Sequence, residues 1–448
     1  MNRNISLIAA AVSAALASGY ASAGAVTLAQ ASAPNASLVI SGSSAAQSGL
    51  FAAITADVCG GASTTYTSAG DSKNFLAVSC TTAVAIPGTP GVPAGQVVTI
   101  YYRTEGGSVV GALPIASGNT IKRLNLTTTG NCSDATHTCS VTKGTYTNTL
   151  QAAINDGWAG DVTTAATQLG VTDVEPGQLV GLDYPSNYNP AVFGTQASNS
   201  AKLPTLTTKK LFQQVFGLVV NTSGETFSTV NLSKAWAAKI LDGNVTDWSL
   251  VPNAASTTGA AIASAPAAIT NVDREPGSGT RTAANIYFNR LGCGSTTGIV
   301  SPSSETLNFS TGDELTLANS TPGSIAYTSI DQIQNPANGT KFTNLVLATI
   351  NTVAPSNQAA AQGRYDFWFE ATLVPNTTAN TTSDNISAFL QTDLPAVAKA
   401  PSIPDVNAIP GLAGNVKSVP PANNGKTGTT EIFVNPLTRG ATSCNDPS

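Results

Sequence analysis

The chain has 448 residues, enough for two domains of ordinary size, and its 42% hydrophobic content is enough to build real cores. Charged residues make up 10% and the formal net charge is −5 with no Lys/Arg run, which argues against nucleic-acid binding. A single histidine, His137, and the absence of any CxxC argue against a Ser-His-Asp triad and against a zinc site.

The first residues form an export signal. Arg3 supplies one positive charge, an apolar run follows from Ile5 to about Leu16, and Ala21-Ser22-Ala23 gives a small-x-small cleavage site. The run is short of the roughly 20 residues that a spanning helix needs. Cleavage is expected after Ala23, leaving a mature chain in the periplasm or outside the cell. No cysteine lies near the cut, so a lipid anchor at the usual position is not expected. The even set Cys59, Cys80, Cys132, Cys139, Cys293 and Cys444 suits three disulfides in an exported protein. Many connectivities are open. Sequence proximity favours Cys59–Cys80 and Cys132–Cys139, leaving Cys293–Cys444, a bridge able to join two lobes and restrict their movement.

In chain order, Leu38-Val39-Ile40 predicts a short buried strand and Ser41-Gly42-Ser43-Ser44 a turn. Ala46, Leu50, Ala53 and Ile54 then form a helical stripe, with Ser43 or Ser44 as N-cap. Residues 59–93, rich in Thr, Gly and Pro, are expected to hold little regular structure. Val97 to Tyr102 predicts a second strand feeding the Gly/Ser turn around Ser108. Residues 117–150 are expected to be an inserted hairpin or loop. The segment 164–174 ends a predicted strand on Asp173. Phe216 to Val220 predicts a buried strand. Leu232, Trp236 and Ile240 predict a helix, with Gly243 placed to end it. Asn271-Val272 leads into Asp273-Arg274-Glu275-Pro276-Gly277-Ser278-Gly279-Thr280-Arg281, and Ala284, Tyr287, Phe288 and Leu291 give the helical spacing after that turn. Ile325-Ala326-Tyr327 is a further strand, 351–363 a connector, and 365–373 another strand. Ile386, Phe389, Leu390 and Leu394 suggest a late helix. The tail from about residue 400 is expected to wrap the surface. There is no internal repeat.

Four strand-to-turn junctions therefore carry hydroxyls, a carboxylate or an arginine. In an open α/β sheet, ligands sit beyond the carboxyl ends of strands, so these four ends can converge on one cleft. Backbone N–H groups at helix starts, hydroxyls and a guanidinium suit a buried anion.

Several of these residues resemble the motifs of the periplasmic phosphate-binding protein family, the solute receptors of phosphate ABC transporters. Arg274, Gly277, Ser278, Gly279 and Thr280 match Arg-x-x-Gly-Ser-Gly-Thr. Val219-Val220-Asn221 is similar to its Val-Val-Asn strand. Gly243, Val245 and Trp248 are similar to its Gly-x-Ile-x-x-Trp. Pro322-Gly323-Ser324-Ile325-Ala326-Tyr327 is similar to its Pro-Gly-x-Ile-Gly-Tyr, and Gly170-Val171-Thr172-Asp173 to its Gly-Ala-Ser-Asp turn. The pieces run in the family's order across residues 36 to 395.

The resemblance implies an α/β type II periplasmic-binding-protein fold, two lobes around a hinged cleft. Lobe I would take residues 24–210, with loop-rich insertions at about 59–95 and 112–160, and would resume over 361–448. Lobe II would take 211–360, with the hinge near 205–215 and 355–365. The implied ligand is inorganic phosphate, held by Ser43, Ser44, Ser108, Asp173, Arg274, Ser278, Gly279 and Thr280. Asp173 would accept the proton that phosphate carries and sulfate lacks. No cofactor, no metal and no enzyme activity are implied, and a monomer is expected. The implied partner is the membrane permease of an ABC transporter. Pro276 stands where the family has an aspartate, so Glu275 or Glu105 would have to neighbour the arginine. Glu105 itself needs Arg103 or Arg281 as partner. These departures leave open a binding protein for another oxyanion or a small organic anion. The large insertions and low charge leave open a secreted envelope or surface protein that kept the fold without transport.

Overall fold

The computed structural model describes residues 25–447 apart from 48–49, 52–53, 56–57, 70–73, 89, 128–129, 131, 144–157, 186–193, 225, 228, 294–305, 335–341, 378–386, 389, 391–407, 410–438 and 441. The export signal at 1–23 lies outside the described residues, as do Ile386, Phe389 and Leu394 of the late helix. Among the described residues, no helix is long and apolar enough to cross a membrane.

The first half is built on β1 (Ala36–Gly42), with β2 (Thr64–Ser68), β3 (Phe75–Thr81) and β4 (Val97–Arg103) on one side. β1 pairs in parallel with β4, and β3 pairs antiparallel with both β4 and β2. Leu38, Val39 and Ile40 are all buried, as befits a strand covered on both faces. Helix α1 (Ser108–Ser117) leaves β4 through Gly106-Gly107 and packs against β1. β5 (Thr120–Leu124) pairs with β9 (Val162–Ala166). β6 (Thr138–Cys139) adds to β2, and β7 (Val141–Lys143) pairs with β8 (Trp158–Gly160). β10 (Leu169–Thr172) then lies parallel to β1 on its other side.

The second half begins with β11 (Lys209–Asn221), thirteen residues long. Its first part pairs with β18 (Trp368–Pro375), which also pairs with β10. Its last part, from Phe216, pairs with β15 (Ser324–Ser329). One strand therefore runs from one half of the sheet into the other. Between them come β12 (Asn231–Leu232), α2 (Lys234–Leu241), β13 (Thr270–Arg274), α3 (Gly279–Ala284), β14 (Thr306–Asn308) and α4 (Thr311–Ser320). β13 lies parallel to both β14 and β15. After β15 come β16 (Leu345–Leu347) on β11, β17 (Thr349–Ile350) on β12, and α5 (Asn357–Ala361). β19 (Ala408–Ile409) adds to β11 after β18.

Three local expectations need correction. The segment 59–93 is not irregular, because it contributes β2 and β3 to the main sheet. Phe75-Leu76-Ala77-Val78-Ser79-Cys80 is buried throughout, and the Cys59–Cys80 disulfide ties it to the preceding helical segment. Threonine is β-branched and suits a strand, so a Thr-rich composition was a poor guide to loop. The stretch 164–174 is two strands rather than one, since β9 belongs to a separate two-stranded sheet. The helix after the 273–281 turn passes from α3 into a π-turn at Asn285–Asn289. Tyr287 and Phe288 are buried while Leu291 lies beyond its end.

The other two disulfides are Cys132–Cys139 and Cys293–Cys444. Most of the tail lies outside the described residues; in its described end Arg439 and Ser443 are buried, while Gly440, Thr442, Asn445 and Asp446 are exposed. Arg439 Nε donates to Trp368 O at 2.9 Å, and its Nη2 donates to Asp366 O at 2.6 Å. Ser443 N donates to Glu175 Oε1 at 2.8 Å, next to the disulfide that holds Cys444 to Cys293. His137, with φ of 52°, sets its ring edge-on to Tyr66 in the first half, away from the cleft residues.

Candidate anion site

Three junctions of the first half end at one place. Ser43 follows β1, and its N–H donates to Val171 O at 2.9 Å. Its Oγ accepts from Ala46 N at 2.9 Å, so Ser43 rather than Ser44 caps the helical segment that begins at residue 47. Ser108 opens α1, and Asp173 directly follows β10.

Asp173 draws these groups together. Ser43 Oγ donates to its Oδ1. Ser108 Oγ donates to Oδ2 at 3.3 Å and accepts from Asp173 N at 2.9 Å. Thr280 Oγ1, from the other half, donates to Oδ2 at 3.4 Å. The side chain is 2% exposed. Burial pushes its pKa from the ordinary 3.8 up to about 6; the Ser43 bond, the Arg274 charge and the Ser108 and Thr280 bonds pull the other way. The carboxylate is therefore ionised at neutral pH with three hydroxyls pointed at it.

The second half brings the Gly-Ser-Gly-Thr turn. Ser278 caps α3 by accepting from Arg281 N at 3.3 Å. Gly277 has φ of 100°, a region that suits glycine, and its carbonyl accepts from Val109 N of the first half at 2.9 Å. At Gly279 a β-carbon would collide with Ser108 Oγ and come within 2.8 Å of Asp173 Oδ2. The two halves thus meet backbone to side chain at this turn.

Arg274 ends β13 and is fully buried. Its Nη1 donates to Thr311 Oγ1 at 2.8 Å, its Nη2 to Phe309 O at 3.0 Å and its Nε to Asn308 O at 3.2 Å. Burial lowers its pKa below the ordinary value, while the charges of Glu314, Asp173, Asp313 and Asp273 act to raise it. The acidic groups acting on this arginine are therefore Glu314 and Asp313 of α4, Asp173 across the cleft and Asp273; Glu275 and Glu105 are not among them. Glu105 pairs with Arg103 at 3.3 Å with both side chains fully buried. Arg281, the second arginine of the motif, binds within its own half and also reaches Asp183 of the first half. Its Nη1 donates to Asp273 Oδ2 and to Arg274 O, both at 2.8 Å. Its Nε lies 3.9 Å from Asp183 Oδ1, which also accepts from Asn285 Nδ2 at 2.7 Å.

Ser43, Ser108 and Thr280 therefore each bond to Asp173, and Gly279 packs against Ser108 and Asp173. Ser44 and Arg274 join them through Thr311, because Ser44 Oγ lies 3.0 Å from Thr311 Oγ1. Thr311 escaped the reading of the sequence. Its signal is Ser310-Thr311-Gly312-Asp313, a capping pattern in which Ser310 Oγ accepts from Asp313 N at 3.2 Å. The strand before it, β14, is three residues long and leaves no apolar run to mark the junction.

Residues 205–391 match the family model of a PBP superfamily domain. That span runs from just before β11 past β18 and carries Arg274, Ser278, Gly279, Thr280 and Thr311. The expected α/β architecture is what the structure has, a large mixed sheet with helices. Among solved structures, similarity is found to a putative phosphate ABC transporter substrate-binding protein with bound phosphate from Clostridium perfringens. That likeness is at 13% identity and a TM-score of 0.44, covering 80% of this chain and 96% of that one. An ABC-type phosphate transport receptor from Vibrio cholerae is similar at 14% identity and a TM-score of 0.37, covering 79% and 93%. A phosphate-binding protein from Stenotrophomonas maltophilia is similar at 11% identity and a TM-score of 0.40, covering 81% and 83%. No curated protein matches the chain.

Proposed function

We propose that the protein is an exported, two-lobed binding protein that captures inorganic phosphate in the cleft between its lobes. The observation that best supports this is the meeting of Ser43, Ser44, Ser108 and Asp173 from one half with Arg274, Ser278, Gly279 and Thr280 from the other, all buried. Lobe I would comprise residues 24–210 and 361–448, and lobe II residues 211–360. Residues 205–215 and 355–365 would flex as the hinge.

A dehydrated anion must regain in the protein the hydrogen bonds it leaves in water. Here the donors are the hydroxyls, main-chain N–H groups at the starts of α1 and α3, and the Arg274 guanidinium. The single carboxylate decides which anion enters. In the structure the Ser43, Ser108 and Thr280 hydroxyls donate to Asp173. A phosphate that donates its own proton to Asp173 would release those three hydroxyls to turn onto its oxygens. Sulfate has no proton to give, so its oxygens would face the carboxylate unpaired. Nothing in this exchange makes or breaks a covalent bond, so binding rather than catalysis is the activity proposed. The receptor would act as a monomer and deliver its anion to the permease of an ABC transporter.

A thermal-shift panel tests the reading. Phosphate and arsenate should raise the melting temperature at near-equimolar excess, and sulfate at the same concentration should not. Stabilisation by organic phosphates but not by inorganic phosphate would overturn the choice of ligand.

A further inference from the structure

We infer that Thr311 is a further ligand-binding residue of this cleft: paired with Ser44 it presents an O–H to the anion, and it holds the Arg274 guanidinium in place. The inference rests on the phosphate-binding reading above and adds a residue from a junction outside the motifs that suggested it.

Hydrogen counting carries the argument. Arginine nitrogens only donate, so Arg274 Nη1 fills a lone pair of Thr311 Oγ1 at 2.8 Å. Thr311 Oγ1 and Ser44 Oγ lie 3.0 Å apart, and either hydroxyl can donate to the other. The two hydroxyls own two hydrogens, and one of them closes this link. The other has no acceptor among the described residues. Thr311 is 2% exposed and Ser44 is 9% exposed, so bulk water does not readily take it either. A buried O–H without an acceptor is costly, and an anion oxygen would satisfy it. By contrast, the hydroxyl hydrogens of Ser43, Ser108 and Thr280 are already directed at Asp173.

The positioning role follows from the same cluster. The turn between β14 and α4 offers the guanidinium three acceptors: two carbonyls, from Asn308 and Phe309, and the Thr311 hydroxyl. Of these, the Thr311 hydroxyl also reaches Ser44 in the opposite half. Thr311 is the first residue of α4, a ten-residue helix capped by Ser310, so its backbone is held independently of the cleft. Losing the hydroxyl would leave Nη1 without an acceptor and would break the Ser44 link across the cleft, while the methyl groups of a valine would fill the same space.

Calorimetric titration with inorganic phosphate tests this on the wild type, Thr311→Val, Thr311→Ser, Ser44→Ala and the Ser44→Ala/Thr311→Val double variant. Ligand-free melting is measured in parallel. Thr311→Val should weaken phosphate about tenfold or more, and Thr311→Ser should restore affinity to within about threefold. The double variant should fall short of the product of the single losses, because the two hydroxyls share one link. Wild-type affinity in Thr311→Val, or independent losses in the double variant, would overturn the inference while leaving the phosphate reading intact. Absence of phosphate binding by the wild type would overturn both.

Discussion

Replacing Asp173 with asparagine should make the ligand-free protein more stable and the receptor worse. Asp173 is held at a pKa of about 6 in the folded chain against an ordinary 3.8, with burial the leading cause. A folded-state pKa above the unfolded one means that the favourable contribution is complete below pH 4. It is lost as pH rises through about 6. At pH 7 the ionised, buried carboxylate therefore costs about 3 kcal/mol relative to a neutral group. An asparagine side chain in its place would keep the shape and one acceptor oxygen for the surrounding hydroxyls without that charge. Thermal unfolding of wild type and Asp173→Asn at pH 4 and pH 7 gives the comparison. Near pH 4 the two should melt alike. At pH 7 the variant should melt a few degrees higher. Phosphate binding should move the other way, weakening about tenfold or more with loss of the charged acceptor, while the barrier against sulfate falls. A variant that is less stable than wild type at pH 7, with the same gap at pH 4, would refute the view that Asp173 is a strained, ionised acceptor.

The same titration sets the pH dependence of binding. Protonated Asp173 cannot accept the ligand's proton, so phosphate affinity should be level above pH 7 and about tenfold weaker at pH 5; flat affinity across that range by calorimetry would contradict the assignment. Gly279→Ala places a methyl group against Ser108 Oγ and Asp173, and should abolish measurable phosphate binding while circular dichroism of the free protein stays unchanged. The Cys293–Cys444 bridge spans 151 residues of sequence, so Cys293→Ser/Cys444→Ser should cost roughly 2–5 kcal/mol in denaturant unfolding; an unchanged midpoint would mean that the bridge constrains little.

The junctions were legible because each carries a turn of small or hydroxyl residues. Leu38-Val39-Ile40 before Ser43 marks its strand by an apolar run, whereas Asn271-Val272 before Arg274 is signposted by the Gly-Ser-Gly-Thr turn that follows it. Thr311 lacked such a signpost, since Thr306-Leu307-Asn308 is short and carries no apolar run. β2 and β3 were obscured for a different reason. Tyr66 sits among Thr and Ser, and the short apolar run Phe75-Leu76-Ala77-Val78 is set in a stretch otherwise rich in Thr, Gly and Pro; pairing of β3 with β4, and of β2 with β3, makes both sheet. The acidic surroundings of Arg274 were also beyond local reading. Glu314 lies forty residues along the chain and reaches the arginine's neighbourhood only because β14 lays α4 beside β13. The packing of Arg439 against β18 has the same character, a contact between the chain end and a strand seventy residues earlier.

Isothermal titration of the mature protein at pH 8 with inorganic phosphate, and separately with sulfate, bears most directly on the idea that this buried cluster selects a proton-bearing oxyanion. Phosphate should bind at one site per chain with saturable heat, and sulfate should give none at the same concentration. Equal heats from both anions, or no heat from phosphate, would show that Asp173 and its hydroxyls do not form a receptor site.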